Sequence, residues 1–301
     1  MNKTSTLPTI SIGIPTYNGA NRIEQAIKSV QAQSYDQLEI VISDNASTDD
    51  TEAVCRKMAA EDPRIKYYRQ QENIGQNPNF AYVLQVATGD YFMWIADDDE
   101  LVPGILENYL NFLKNNPDHA LVCGQITYHR DGVIRRTEKG LSFTQDNPIE
   151  RVAAYYARVV DGGMWYGLLH REKAAKIPIR PTIGCDWHFV AAMAFQGKVR
   201  QLDFVGYSKS MDGTSRDFKN YARVFGEHPF WAHAPYLKIA RDTFLEVGFR
   251  YELYKSIGRW KRLKLAFRST CGVLYRFYGI RFPKIMGGHI KRSIGLKTQH
   301  K

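Results

Sequence analysis

Apolar and polar residues alternate over residues 9–14, Thr-Ile-Ser-Ile-Gly-Ile, with the period of two that predicts a β-strand. Pro15-Thr16-Tyr17-Asn18-Gly19 breaks the alternation, after which Ile23, Ala26, Ile27 and Val30 recur at the spacing of one helix face. Residues 38–42 form a short apolar run that reads as a buried strand. The polar stretch 43–50 is rich in helix-capping residues and predicts a second helix behind it. The pattern continues with a strand at 65–69, a helix at 78–87, a turn at Gly89-Asp90 and a strand at 91–95 that runs into Asp97-Asp98-Asp99. Pro103 suits the first turn of the next helix. Strands alternating with helices predict an α/β fold with a mostly parallel central sheet flanked by helices. Such sheets bind ligands at the carboxyl ends of their strands, so the polar clusters after strands one, two and four belong to one site.

Beyond residue 118 the periodicity loosens. It predicts a strand over 121–128, a polar, loop-rich stretch over 130–147, helices over 148–160 and 186–196, and a short strand over 202–207. A chain of 301 residues accommodates one large domain plus an extension. Charge places that extension: of 41 Lys and Arg, 14 fall in residues 250–301 against a single acid, Glu252, so the excess of +10 belongs to the tail. Trp260, Leu263, Phe267, Tyr275 and Phe277 are interleaved with these bases. A mainly helical, basic and aromatic extension can lie on an anionic membrane surface, and a helix docked on the domain is the alternative. No nucleic-acid motif is present, so no nucleic-acid partner is expected. Cys55, Cys123, Cys185 and Cys271 form no CxxC pair, which argues against a zinc site and for a reducing compartment. The N-terminal residues lack the apolar core of a signal peptide, and no apolar run approaches a membrane span, so a cytoplasmic protein is expected.

Three adjacent carboxylates repel one another unless a cation neutralises them, and carboxylate oxygens suit Mg2+ or Mn2+. Asp97-Asp98-Asp99, following the apolar run Tyr91-Phe92-Met93-Trp94-Ile95, is therefore a candidate metal motif; an acidic helix cap is the plainer reading. Asp44, at the end of the second strand, could accept a hydrogen bond from a base N–H or simply cap a turn. Pro15-Thr16-Tyr17-Asn18 could present its backbone and the Tyr17 ring to a nucleobase.

Taken in order, these segments resemble the family 2 glycosyltransferases, which have a glycosyltransferase-A type fold. The family's PxYN, D(D/N)xS, ExNxG and acidic metal segments correspond to Pro15-Thr16-Tyr17-Asn18, residues 44–49, Glu72-Asn73-Ile74-Gly75 and Asp97-Asp98-Asp99. The resemblance covers residues 9–120 closely and 120–215 loosely. It implies a hexosyltransferase-like enzyme in which Pro15, Thr16, Tyr17, Asn18, Asp44, Asn73, Gly75, Asp97 and Asp98 bind a nucleoside-diphosphate sugar, with UDP or dTDP as the default. Residues 1–120 would form the nucleotide-sugar half, 121–249 the acceptor half and 250–301 the extension. Aligned on Pro103, the first acid of the family's metal motif is Ala96 here, which leaves Asp98 and Asp99 as rival ligands for Mn2+ or Mg2+. Asp186, at a helix start, matches the family's catalytic base; an inverting transfer needs such a carboxylate to take the acceptor's hydroxyl proton. Trp165, Trp187 and His188 are acceptor-site candidates, and Ser215 and Arg216 resemble a loop over the diphosphate. The implied pathway is assembly of a bacterial surface polysaccharide such as O-antigen, capsule or exopolysaccharide, on a lipid-linked glycan, with the enzyme peripheral on the inner face of the cytoplasmic membrane. A nucleotidyltransferase would carry a basic Gly-rich first loop, which residues 15–19 lack. An inactive, scaffold-like relative would have lost the acids retained here.

Overall fold

The structure is a computed structural model that describes residues 7–130, 132–138, 140–211 and 218–279. The first part is a regular alternation: β1 (Ile10–Thr16), α1 (Ile23–Gln31), β2 (Leu38–Asp44), α2 (Thr51–Glu61), β3 (Ile65–Arg69), α3 (Gln76–Val86) and β4 (Tyr91–Trp94). There follow β5 (Glu100–Leu101), α4 (Ile105–Asn115), β6 (His119–Arg130), β7 (Val133–Thr137), α5 (Pro148–Arg158), a 3-10 turn (Gly163–Tyr166), β8 (Leu168–His170), α6 (Arg171–Ala174), α7 (Cys185–Gln196) and β9 (Lys198–Ser210). The remainder is helical: α8 (Phe218–Val224), α9 (Phe230–His233), α10 (Pro235–Leu245), a π-helical turn (Glu246–Arg250), a 3-10 segment (Glu252–Ile257) and α11 (Arg259–Tyr278).

One sheet runs β3-β2-β1-β4-β8-β6-β9-β5, with β7 paired to β6. Its first four strands are parallel, as the alternating pattern predicts. The short β8 then enters antiparallel to both neighbours, and β6 and β9 pair parallel again. Every residue of β1, β2 and β4 is buried because helices cover both faces. Register decides where the loops emerge. Thr16 lies opposite Asp44, and Gly13 opposite Trp94, so the loops after β1, β2 and β4 leave along one edge.

The two sheet faces carry separate cores. Ile12, Ile14, Ile27, Ile40 and Leu110 pack on one face with α1, α2 and α4. Val83, Phe92, Trp94, Tyr156, Phe189 and Val273 pack on the other with α3, α5, α7 and the C-terminal helices.

Three expectations change. The polar stretch 130–147 holds strand β7, whose five residues are all exposed, so no burial pattern announces it. The boundary drawn at 120/121 falls inside β6, and that at 249/250 falls inside the π-helical turn. The extension is docked as far as residue 279. Leu265, Ala266, Cys271 and Val273 are buried, and a Cβ on Gly272 would lie 3.1 Å from Ala157 Cα, so α11 and α5 meet backbone to backbone. The Arg268 guanidinium pairs with both oxygens of Glu150, and buried Arg262 donates to the carbonyls of Val247 and Tyr251, closing the π-helical turn. Trp260 (74% exposed) and Phe267 (45%) stay outside with Lys261 and Lys264. Among the described residues no helix is long and apolar enough to cross a membrane.

Candidate active site

The loops after β1, β2 and β4 enclose a cavity of about 770 Å³. Pro15, Thr16, Tyr17, Asn73, Gly75, Asp97, Asp98 and Asp99 all line it, so most of the sequence candidates converge. Asn18 and Asp44 stand behind its wall. Asn18, at a left-handed φ of 48°, accepts from the Thr48 N–H at 2.8 Å and so ties the first loop to the second. Asp44 is fully buried; its Oδ1 accepts from the Ser47 N–H and its Oδ2 from the Tyr67 hydroxyl, each at 2.8 Å. Asp44 does not line the cavity, and these two bonds brace the loop that carries Asn45. Asn45 is on the wall and donates to Asn73 Oδ1 at 2.8 Å.

The three acids after β4 have three different environments. Arg22, which sequence reasoning missed, donates through Nε and Nη2 to the two oxygens of Asp97 at 3.0 Å each, and Thr16 Oγ1 donates to the same carboxylate at 2.5 Å. Asp97 is thereby held as an ion pair. Asp99 is 1% exposed and accepts from the Tyr207 hydroxyl at 2.9 Å and the Ser210 N–H at 2.7 Å. Among the described residues no side chain hydrogen-bonds to Asp98. Burial, then the neighbouring Asp97, raises the Asp98 carboxyl above its ordinary range; burial, then Asp98, pushes Asp99 up to about 7.

This donor set fits a hard divalent cation. Among the described residues no group of three or more His, Cys, Asp or Glu forms a metal cage, but Mg2+ takes one or two protein carboxylates and completes its shell with water and phosphate. Asp98, with Asp99 beside it, supplies that number.

A second cavity, of about 260 Å³, adjoins the first. The two share Gln76, Phe80, Tyr166 and Lys209 in their walls. Asp186 lines the second, in the first turn of α7, behind Gly184 at φ 82°. Burial pushes its carboxyl up to about 6, opposed by the Trp187 N–H and the charge of Lys209. A Cβ on Gly162 would lie 1.8 Å from Asp186 Oδ2, so that position admits only glycine while the carboxylate stays where it is. Lys209 Nζ sits 4.7 Å from the centre of the Tyr166 ring, and Tyr166 stacks on Tyr207 at 4.7 Å.

Trp165 lines this cavity and stacks on Trp94 at 4.3 Å. Trp187 and His188 do not line it, contrary to expectation. Trp187 packs against Tyr236 and Phe277, and His188 is 1% exposed with its Nδ1 3.0 Å from the Tyr156 hydroxyl, because the helix that presents Asp186 turns its next two side chains into the core. Ser215 and Arg216 lie outside the described residues. Arg22 and Lys209 carried no sequence signal, since each is one base in a mixed segment whose partner lies far away in the chain.

Comparison with known proteins agrees with this architecture. The model of glycosyl transferase family 2 matches residues 11–174, more than half of the chain. A protein of Escherichia coli K12, provisionally named as the colanic acid biosynthesis glycosyl transferase WcaA, is 30% identical over 255 residues, covering 82% of this chain and 86% of that one. A Campylobacter jejuni protein named GalNAc(5)-diNAcBac-PP-undecaprenol beta-1,3-glucosyltransferase is 34% identical over 146 residues, 48% of this chain and 47% of its own. Several other similar relatives are matched over less than half of their own length. Among solved structures, residues 1–349 of S. aureus TarS superpose with a TM-score of 0.61 at 13% identity, over 95% of this chain and 81% of that one. The Pyrobaculum calidifontis mannosyltransferase PcManGT, solved with GDP-Man and Mn2+, gives 0.52 at 16% identity, over 96% and 86%. The fold is thus the glycosyltransferase-A type anticipated from the sequence, and the chain belongs to glycosyl transferase family 2.

Proposed function

We propose that this chain transfers a sugar from a nucleoside-diphosphate sugar, UDP- or dTDP-linked, to a saccharide acceptor with inversion at the anomeric carbon. The observation that carries the reading is the shared wall: Asp98 lies in one cavity, Asp186 in the next, and both cavities are lined by Tyr166 and Lys209. Tyr17, Asn45 and Asn73 line what would be the nucleoside end, where the exposed Tyr17 ring suits a base. Asp98 and Asp99 would hold Mn2+ or Mg2+, which when bound neutralises charge on the leaving diphosphate. Lys209 brings a second positive charge to the same place. Asp186, its pKa raised to about 6, is ionised at neutral pH yet basic enough to take the acceptor's hydroxyl proton. Because its cavity opens beside the first, an acceptor hydroxyl next to Asp186 would approach the anomeric carbon from the side opposite the leaving diphosphate, the approach that inversion requires.

The acceptor in this reading is a lipid-linked glycan in surface-polysaccharide synthesis, such as O-antigen. Two relatives support it, one named for an undecaprenol-linked substrate and one for colanic acid biosynthesis. The exposed Trp260 and Phe267, flanked by Lys261 and Lys264, suit contact with the anionic inner face of the cytoplasmic membrane. The test is proton NMR of the transfer product. An anomeric centre opposite to that of the donor, formed by the wild type and not by Asp186→Asn, is expected. A product that retains the donor configuration would overturn the mechanism.

A further inference from the structure

The cavity that holds Asp186 has a second acidic wall that the transfer chemistry does not use. Asp161 lines it, and its Oδ1 accepts from the Gly163 N–H at 3.1 Å. Behind Asp161, the Glu138 carboxyl is hydrogen-bonded to it, and the Tyr128 hydroxyl lies 3.3 Å from Glu138 Oε2 and 3.4 Å from Asp161 Oδ2. Arg136 lies 4.1 Å from the centre of the Tyr128 ring and 3.7 Å from Asp161 Oδ2. Burial, then the bond to Asp161, pushes the Glu138 carboxyl up to about 8, so at neutral pH it is the proton donor of the pair. Glu138 itself is anchored by its N–H to the Ile126 carbonyl at 2.7 Å. A Cβ on Gly163 would meet Glu138 Oε2 at 2.6 Å, as one on Gly162 would meet Asp186, so adjacent glycines make room for two carboxyls, one lining the cavity and one behind its wall. The volume of about 260 Å³ is just below that of drug-sized ligand sites and suits one saccharide unit, with Trp165 and Phe80 as apolar faces.

We propose that Asp161 is a specificity-determining residue of this acceptor cavity, where it receives a hydrogen bond from a sugar hydroxyl neighbouring the one that Asp186 deprotonates. Glu138 is a positioning residue: its proton, the Tyr128 hydroxyl and the Arg136 charge fix the Asp161 carboxylate and keep the two acids from repelling. A carboxylate can accept from several donors, so Asp161 retains capacity for a ligand hydroxyl. The acceptor class is a sugar with adjacent hydroxyls, read at two points by two carboxylates.

The inference rests on the glycosyl-transfer reading, and the test separates the two. Saturation-transfer NMR on the full chain, with UDP and Mg2+ present, would use a panel of methyl hexopyranosides as probes. The wild type is expected to bind at least one. Asp161→Asn should weaken that glycoside at least tenfold, and a monodeoxy analogue lacking the contacted hydroxyl should be equally weak on both proteins. Glu138→Gln, which keeps an uncharged hydrogen-bonding group, should bind as the wild type does at pH 7 and escape the loss the wild type shows above about pH 8, where Glu138 ionises beside Asp161. Stabilisation by UDP reports that each variant is folded with its nucleotide cavity intact. Glycoside binding indifferent to Asp161, or none to a nucleotide-bound wild type, would overturn the subsite. Failure of the wild type to bind any nucleotide would instead overturn the functional reading beneath it.

Discussion

The two cavities meet at Tyr166 but are assembled in opposite ways. The larger is built by short loops at the ends of adjacent parallel strands, so residues close in sequence, such as Thr16 and Tyr17 or Asp97, Asp98 and Asp99, arrive together. The smaller collects Gln76, Tyr128, Asp161, Asp186 and Lys209 from elements that share no local pattern. A parallel sheet concentrates function at its edge and leaves motifs; the mixed half reaches its site through long-range pairing and leaves isolated residues.

This contrast predicts a ranked series of effects. Asp98→Ala should cost the most, roughly 10³-fold in kcat/KM, because it removes the one acid of the triplet that accepts no side-chain hydrogen bond among the described residues. Removal of divalent metal by chelation should mimic it, and steady-state kinetics on the variant, and on the wild type with and without chelator, check both. Asp97→Asn should unfold more readily, since Arg22 then loses its ion-pair partner; a melting curve distinguishes that from the cleaner loss at Asp98.

Asp186→Asn should lower kcat by roughly 10²–10⁴-fold. Its stability should move the other way. Burial raises the folded-state pKa of Asp186 to about 6, so the folded state holds that proton more tightly than the unfolded one. The associated stability is present below the unfolded-state carboxyl range and is lost as pH rises through about 6, where the buried group ionises. An uncharged Asn avoids that loss, and the variant should melt no lower than the wild type at pH 7.5. For the wild type, kcat/KM should climb with pH through a limb near 6 and level off above it.

Lys209→Met should reduce kcat by roughly 10-fold with a smaller change in acceptor KM, as expected of a charge facing the leaving group. The smallest effect belongs to the surface. Replacing either Lys261 or Lys264 by Gln should weaken sedimentation with anionic vesicles by roughly fivefold, at ~1 kcal/mol per base, and leave binding to neutral vesicles unchanged. Vesicle binding indifferent to both would remove membrane contact from the account.

The same asymmetry decides what could be read in advance. The strands at 65–69 and 91–95, the helix around Pro78 and the acids after β4 follow from local periodicity, and the structure places them there. Asp186 was legible only through the resemblance, as an acid at the start of a predicted helix, and the structure puts it in the first turn of α7. Strand β7 was missed because its residues face solvent, and Asp161 and Lys209 because one follows α5 and the other ends β9, segments that only long-range packing brings to one cavity. Trp187 and His188 illustrate the converse error. Residues beside a functional acid look functional in sequence, yet the helical period sends them inward. Asp44 shows that a residue can match a motif and still serve it from behind, through Tyr67 and Ser47.

Thermal stability against UDP, dTDP and GDP, each with and without Mn2+, tests the central claim most directly. The account predicts that one nucleotide stabilises the wild type, by roughly 2.7 kcal/mol at a hundred times its dissociation constant, that the gain requires Mn2+, and that it vanishes in Asp98→Ala but survives in Asp186→Asn. A folded wild type that no nucleotide stabilises, or a gain that ignores both Mn2+ and Asp98, would contradict it.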